Sequence, residues 1–129
     1  FSRARFDALD AGSMAVESTA PASSGKANAD QVLRAAIAFL SQGHEGLAAA
    51  MEALKPDDAV MRAVTALQAL GLERDTAWML LVRWLAEQRA MDLDDAAEEA
   101  MERALDGVTA EQWQGAIIAL ADALDPARA

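Results

Sequence analysis

The chain has 129 residues, of which 53% are apolar, and its 21 acidic and 11 basic side chains give a formal charge of −10. This length fits one domain, and the apolar content is enough to bury a core, which excludes a chain that is disordered overall. Phosphate backbones and anionic membranes are bound by clustered Lys and Arg. The sequence has no such cluster, so we expect neither nucleic acid nor a membrane as a partner.

The residue types favour helices and a reducing compartment. Ala and Leu dominate the apolar share, and both lose little side-chain freedom in a helix. The sequence has no Cys, so it has no disulfide framework, thiolate nucleophile or cysteine-based metal site. The absence of disulfides is typical of cytosolic proteins, and we expect a cytoplasmic protein that uses no cofactor.

The first 27 residues are predicted to precede the folded domain. Gly12-Ser13-Met14 resembles a cloning junction, with Met14 as the natural start. Residues 1–13 are then either a vector remnant or a fused partner peptide, and the sequence leaves both open. Residues 14–27 are small and polar and include Pro21 and Gly25, a composition that predicts a flexible linker.

A short amphipathic segment lies within residues 1–10. Phe6 and Leu9 are three residues apart, which would place them on one edge of a helix, and Phe1 stands further back. If these residues are a tethered ligand, then Phe1, Phe6 and Leu9 are its partner-binding side chains. A tether raises the effective concentration of such a ligand to roughly the millimolar range.

Residues 28–71 contain three predicted helices. The first begins with a capping box of Asn28 and Gln31, and its apolar residues recur at helical spacing. Helix-breaking residues and acidic caps give the other boundaries. The first helix ends at Gly43, the second ends at Lys55-Pro56, and the third runs from Asp57 or Asp58 to Gly71.

Three more helices are predicted before residue 125. The fourth runs from near Asp75 to about Ala90, the fifth from Asp92 or Asp94 to Gly107, and the sixth from a Thr109–Gln112 capping box to Asp125-Pro126. The sixth helix is expected to bury a stripe of Trp113, Ile117, Leu120 and Leu124. Since no segment alternates apolar and polar residues over the length of a strand, the predicted fold class is all-α.

The predicted architecture is a compact bundle of five to six short helices over residues 28–125, after a flexible N-terminal segment. Stacked helical hairpins are the alternative. Two segments share the same order of features: an acidic cap, a helix, a Gly and a second helix that carries a Trp. They run from Asp57 to Trp78 and from Asp94 to Trp113, at a spacing of about 36 residues, which is typical of stacked hairpins. The signature residues of tetratricopeptide repeats are missing from these positions.

The densest charge in the sequence lies between residues 92 and 102. Four carboxylates share one helical face: Asp95, Glu98, Glu99 and Glu102. This face is interpreted as a solvated surface or as a patch for a basic partner. A calcium loop would need Gly where Ala97 stands, and a di-iron bundle would need two Glu-x-x-His elements where the chain has one His. We therefore expect no metal site.

The sequence predicts no enzyme. His44 is the single histidine and lies in a turn between Gly43 and Gly46, far from a recognisable nucleophile. The same turn lacks a preceding strand and a following Lys-Ser or Lys-Thr, so it does not predict a phosphate loop. A surface or capping role is expected for His44.

The fourth helix carries the binding prediction. It is apolar nearly all round, which is typical of a central, buried helix. Leu80 and Trp84 form a second stripe on it, which either packs in the core or forms the floor of a groove beside Arg83. Trp and Arg are enriched at binding hot spots, so Leu80, Arg83 and Trp84 are the candidate partner-binding residues within the domain.

Together these patterns favour a non-enzymatic helical protein-interaction module, such as an adaptor, a docking domain or a small chaperone. It would bind an amphipathic segment in an apolar groove, from another protein or from residues 1–10 in cis. The alternative is a homo-oligomerising structural protein, or a phage-type assembly protein, whose second apolar stripe is buried against a copy of itself.

Overall fold

The computed structural model describes residues 26–124, and within this range it contains six α-helices and no strand. The all-α prediction is therefore confirmed. The helices are α1 (Ala29–Ser41), α2 (Leu47–Glu52), α3 (Asp58–Ala69), α4 (Arg74–Gln88), α5 (Asp95–Leu105) and α6 (Ala110–Leu124).

Two capping boxes begin α1 and α6, as predicted. The side chain of Asn28 accepts a hydrogen bond from the Gln31 N–H at 2.9 Å, and the Gln31 side chain accepts one from the Asn28 N–H at 2.8 Å. Thr109 and Gln112 form the same reciprocal pair before α6. These bonds satisfy N–H groups that the first turn of a helix leaves without partners.

A single aspartate begins each of α3 and α5. Asp57 Oδ1 accepts a hydrogen bond from the Val60 N–H at 3.0 Å, and Asp94 Oδ1 accepts one from the Ala97 N–H at 2.9 Å. Each is one of the two acids predicted for its position. Because a cap acts on a backbone group only three residues away, it can be found from sequence alone.

Helix α4 is the centre of the molecule and packs against each of the other five helices. Most of its apolar residues are buried, on every side of the helix: Ala77, Trp78, Met79, Leu80, Leu81, Val82, Leu85 and Ala86. In a stack of hairpins each unit contacts only its neighbours, whereas here α1 of the first helix pair also packs against α5 of the third. The arrangement is therefore the predicted bundle and not the alternative stack.

The cap of α2 comes from α4. Gly46 precedes α2 with a φ of +83°, a conformation that favours glycine, and it has no side chain with which to cap the helix. Asp75 Oδ1 instead accepts a hydrogen bond from the Ala48 N–H at 2.9 Å. Asp75 was predicted as the start of α4, which begins one residue earlier, at Arg74. Its carboxylate joins two helices.

A polar contact also joins α2 to α4. The fully buried Trp78 donates its indole N–H to Glu52 Oε2 at 3.1 Å, and Arg74 Nε donates to the same oxygen at 2.9 Å. The pKa of Glu52 lies below its ordinary value, first because of the hydrogen bond from Arg74 and, to a lesser extent, because of the bond from Trp78. The contact satisfies the one polar atom of the largest buried side chain.

The stripe predicted for α6 is wrong in part. Leu120 is buried as expected, but Ile117 is 47% exposed, and Ala116 is the other buried residue of this helix. Trp113 and Leu124 are half-buried. Ile117 therefore does not belong to the side of α6 that packs on the core. That side buries fewer large apolar residues than their helical spacing predicts.

The close approach of α3 to α6 explains this difference. Leu70, just after α3, packs against Gly115, where an added Cβ would lie 3.1 Å from Leu70 Cδ2. The Gln112 side chain also donates to the Leu70 carbonyl at 3.4 Å. A glycine lets the helices approach closely, and α6 turns its small Ala116 inward rather than Ile117.

The predictions for residues 1–13, and those for most of the linker over 14–27, lie outside the described residues. Ala27 is within them and is held in place on both sides. Its N–H donates to the Lys55 carbonyl at 2.9 Å, and its carbonyl accepts from the Asp57 N–H at 2.8 Å. The helical unit therefore includes Ala27, one residue before the predicted boundary.

Candidate partner-binding groove

An apolar groove with a cavity volume of about 330 Å³ lies where α4, α6 and the start of α1 meet. Its lining combines apolar walls with two polar side chains at the end of α4: Ala29, Trp84, Leu85, Gln88, Arg89, Ala121 and Leu124. Binding pockets for small molecules span about 300–1,000 Å³. The groove is at the small end of that range and has room for a few side chains of a peptide.

Three features of α4 and α6 create this space. Leu85 is buried in the core beneath, while Trp84 is half-buried and keeps part of its indole accessible. On α6, Ala121 has a side chain too small to fill the gap, and the half-buried Leu124 forms the end of the wall. The result is an aromatic surface that the helices around it leave partly uncovered.

The rim of the groove carries one ion pair. Arg89 Nε, just after α4, donates a hydrogen bond to Asp30 Oδ1 in the first turn of α1. Both side chains remain partly accessible, Arg89 at 38% and Asp30 at 56%. The pair holds the two helix ends together and places one positive and one negative charge beside an apolar surface.

The structure separates the three candidate residues of the fourth helix. Trp84 lines the groove. Leu80 is 0% exposed and belongs to the core, so the structure does not place it in the groove. The cause is the central position of α4, whose neighbours cover Leu80 and leave Trp84 half-buried. The candidates Phe1, Phe6 and Leu9 lie outside the described residues.

Arg83 lines a different cavity from Trp84. Consecutive helical residues point about 100° apart, and Arg83 borders a polar cleft of about 560 Å³ between α4 and α5. Its Nε donates to Glu87 Oε2 at 2.9 Å within α4. The expected pairing of Arg83 with Trp84 in one groove is therefore not found.

Most of the other lining residues carry no signal in the sequence that points to a groove. Ala29 and Arg89 are brought together by the packing of α1 against α4, which no local pattern predicts. Leu124 was assigned to a core stripe, and Ala121 carries no signal because small residues are common throughout the chain. In the sequence, the helical spacing of Ile117, Ala121 and Leu124 is the feature that indicates a second apolar side on α6.

A second apolar surface lies on α6, on the N-terminal side of the groove residues. Ile117 is 47% exposed and Ile118 is 63% exposed, the two highest values among the large hydrophobic residues that the structure describes. Ile117 is one helical turn from Ala121, so this surface adjoins the groove on α6. Contiguous exposed apolar surface is typical of interaction sites.

The acidic face of α5, formed by Asp95, Glu98, Glu99 and Glu102, is exposed along its whole length. Glu99 forms a 3.7 Å ion pair with Arg103 one turn on. Among residues 26–124 no group of His, Asp or Glu side chains has the arrangement of a metal site. The geometry matches a solvated, negatively charged surface.

His44 lies in the turn between α1 and α2. Its ring centroid is 5.3 Å from that of Phe39, and its Nε2 is 3.0 Å from Gln42 Oε1. Both contacts are local to the end of α1. The turn borders a small cleft with Asp75, Met79 and α5 residues.

Searches against protein-family models, curated proteins and solved structures gave no match to this chain. Among the described helices, none combines the length and the apolar character that crossing a membrane would require.

Proposed function

We propose that this protein is a non-enzymatic helical interaction module, an adaptor or docking domain of the cytoplasm, that binds an amphipathic segment of another protein. The observation that carries the proposal is the groove beside Trp84, where a half-buried indole borders an open apolar cavity. Trp is among the residues most often found at the centre of binding hot spots. Recognition of a helix in a groove uses such a surface for the apolar face of the ligand.

The partner segment in this proposal is a helix with an apolar face and a basic polar face. The groove supplies the apolar contact, and the net charge of −10 supplies long-range attraction for Lys and Arg. The exposed acidic face of α5 adds to this field near the end of α4. Complementary charge mainly raises the association rate and the specificity, while the buried apolar contact sets the affinity.

Homo-oligomerisation is the second candidate function, because Ile117 and Ile118 form an exposed apolar surface on α6. A self-complementary dimer would place this surface against the same surface of a second copy. Sedimentation over a range of protein concentrations separates the two candidates. A monomer that binds a peptide favours the interaction module, and a concentration-dependent dimer broken by Ile118→Asp favours the oligomer.

A groove variant tests the proposal. The probe is a peptide of Leu and Lys residues at helical spacing, titrated by calorimetry, with a scrambled peptide of the same composition as its control. Ala121→Glu places a carboxylate in the groove, where apolar contact would force the charge out of water. We expect it to weaken binding of the amphipathic peptide at least about tenfold, which is about 1.4 kcal/mol.

Ala38→Glu is the matched control, since Ala38 is an exposed alanine of α1 that does not line the groove. It adds the same charge and is expected to leave the affinity unchanged or slightly higher. Equal binding of the amphipathic and scrambled peptides would show attraction by charge alone. That result, or equal affinity for the two variants, would contradict the proposal.

The role of the acidic face is tested by removing three charges. Replacing Glu98, Glu99 and Glu102 by Gln should change the free energy of unfolding by less than about 1 kcal/mol, because exposed ion pairs contribute little. Binding of the Leu and Lys peptide should weaken, and its dependence on salt should become smaller.

The control for this variant replaces three exposed glutamates elsewhere by Gln: Glu45, Glu73 and Glu111. It changes the net charge by the same amount, so a local role for α5 predicts a smaller effect. The same loss of affinity and salt dependence in both variants would mean that only the net charge acts.

A further inference from the structure

The chain enters the described region close to the groove. Ala27 is fixed by backbone hydrogen bonds to Lys55 and Asp57, and the Lys26 ammonium forms a 3.3 Å ion pair with Asp58. Two residues after Ala27, Ala29 begins α1 and lines the groove. The N-terminal segment is therefore attached beside the groove that this protein is proposed to use for its partner.

The length of that segment allows it to return to the groove. Residues 11–25 are rich in Ala and Ser and include one Pro and two Gly. A flexible chain of this length spans roughly 20–23 Å on average. The distance from an attachment point beside Ala29 to a groove that Ala29 lines is within this reach. A ligand attached through a tether of this length has an effective concentration of roughly the millimolar range at its site.

The chemistry of residues 1–10 fits the groove and its rim. Phe6 and Leu9 provide two large apolar side chains at helical spacing for a cavity of about 330 Å³. The segment carries Arg3, Arg5, Asp7 and Asp10. The Arg89–Asp30 pair places one positive and one negative charge at the rim. A segment that carries both Arg and Asp side chains can therefore approach the rim without net electrostatic repulsion.

From this arrangement we infer that residues 1–10 bind in the groove of their own chain, with Phe6 and Leu9 against Trp84 and Ala121. The segment acts as an intramolecular competitor that a partner helix must displace. This inference rests on the proposed function and names its regulation: the groove is covered in the free protein. A partner's apparent affinity is then lowered by the fraction of molecules whose groove is open.

The test uses the full chain with Phe6→Ser and Leu9→Ser together. The matched control is Met14→Ser with Val16→Ser, which removes two apolar side chains from the same N-terminal region. The first readout is the indole N–H resonance of Trp84 in a proton–nitrogen correlation spectrum. We expect the first variant to shift this signal and to leave that of the buried Trp78 in place, and the control variant to shift neither.

The second readout is the affinity for the Leu and Lys peptide described above. If the groove is covered about nine-tenths of the time, removing the competitor tightens the binding about tenfold, and the control leaves it unchanged. The expected Trp84 shift should persist when the protein is diluted far below the roughly millimolar effective concentration of a tether. Loss of the shift on dilution would assign the contact to a second copy and would overturn the inference.

Failure of the inference can be told from failure of the proposed function. If all three proteins bind the amphipathic peptide equally and give the same Trp84 resonance, residues 1–10 do not occupy the groove, and the proposed function stands. If none of them binds that peptide better than its scrambled control, the proposed function fails, and the inference fails with it.

Discussion

Replacing Trp78 by alanine is expected to lower the free energy of unfolding by about 3–5 kcal/mol, the range for truncating a buried aromatic side chain. Trp78 is 0% exposed, lies on the central helix and is the largest fully buried side chain. The change removes the indole from the core and leaves a cavity that the surrounding helices can fill only in part. Urea unfolding followed by far-ultraviolet circular dichroism measures the loss.

Trp113 provides the comparison, because it has the same side chain but is only half-buried. Trp113→Ala should cost roughly half as much, since the stabilisation scales with the apolar area removed from water. The sequence had predicted a buried Trp113 as the start of the α6 stripe. An equal loss of unfolding free energy for the two variants would contradict the orientation of α6 that leaves Trp113 half-buried.

Trp78→Phe keeps the comparison testable if the alanine variant does not fold. Phenylalanine retains an aromatic ring but has no N–H to donate to Glu52, so we expect a loss well below that of Trp78→Ala. A Phe variant as unstable as the Ala variant would mean that the hydrogen bond, and not the packing of the ring, dominates the role of Trp78.

Glu52→Ala is expected to lower the free energy of unfolding by about 1.5–3 kcal/mol, which is the range for hydrogen bonds to a charged group. The carboxylate accepts from both Trp78 and Arg74. Its removal leaves the indole N–H of a fully buried side chain without a partner. Glu87→Ala is the control: it removes an ion pair with Arg83 on the surface of α4, and we expect a loss below about 0.5 kcal/mol.

The Glu52 effect should depend on pH in a defined direction. The pKa of Glu52 is lowered in the folded state, mainly by the hydrogen bond from Arg74. Its charge therefore stabilises the fold fully above the ordinary pKa of 4.5 and loses this contribution as the pH falls through the lowered value.

Glu52→Gln isolates this charge effect, because the amide oxygen can still accept from Trp78. The stability difference between the parent protein and this variant should be constant between about pH 6 and 8 and should shrink below about pH 4.5. Urea unfolding at several pH values measures it. A difference that stays constant into the acid range would mean that the charge of Glu52 contributes nothing.

Local signals account for what the sequence predicted correctly. The capping boxes at Asn28 and Thr109 and the single caps at Asp57 and Asp94 involve partners three residues away. Because such bonds depend on neighbouring residues only, sequence spacing is enough to find them. The number of helices and the all-α class follow from these signals.

Contacts between distant residues account for what the sequence did not predict. Asp75 caps a helix 27 residues earlier in the chain, whereas its position in the sequence indicates only the start of its own helix. The orientation of α6 about its own axis depends on the close approach of Leu70 to Gly115. Neither contact leaves a periodic pattern, so the sequence predicts the large Ile117 as a core residue and gives no signal for the small Ala116.

The candidate site depends on contacts of the same kind. A helix that is apolar all round gives no sign of which stripe its neighbours cover. The sequence therefore placed Leu80 and Trp84 together, and the structure buries Leu80 and leaves Trp84 half-covered. Only the packing of α1 and α6 against α4 determines that the groove lies beside Trp84.

The most direct test of the groove is a map of where an amphipathic helix binds. Backbone amide and indole resonances of the full chain are followed while the Leu and Lys peptide is added. We expect the shifts to form one contiguous patch that includes Ala29, Trp84, Ala121 and Leu124, while the buried Trp78 stays unchanged. Shifts centred on the acidic face of α5, or on Ile118 without Trp84, would contradict the assignment of the groove as the binding site.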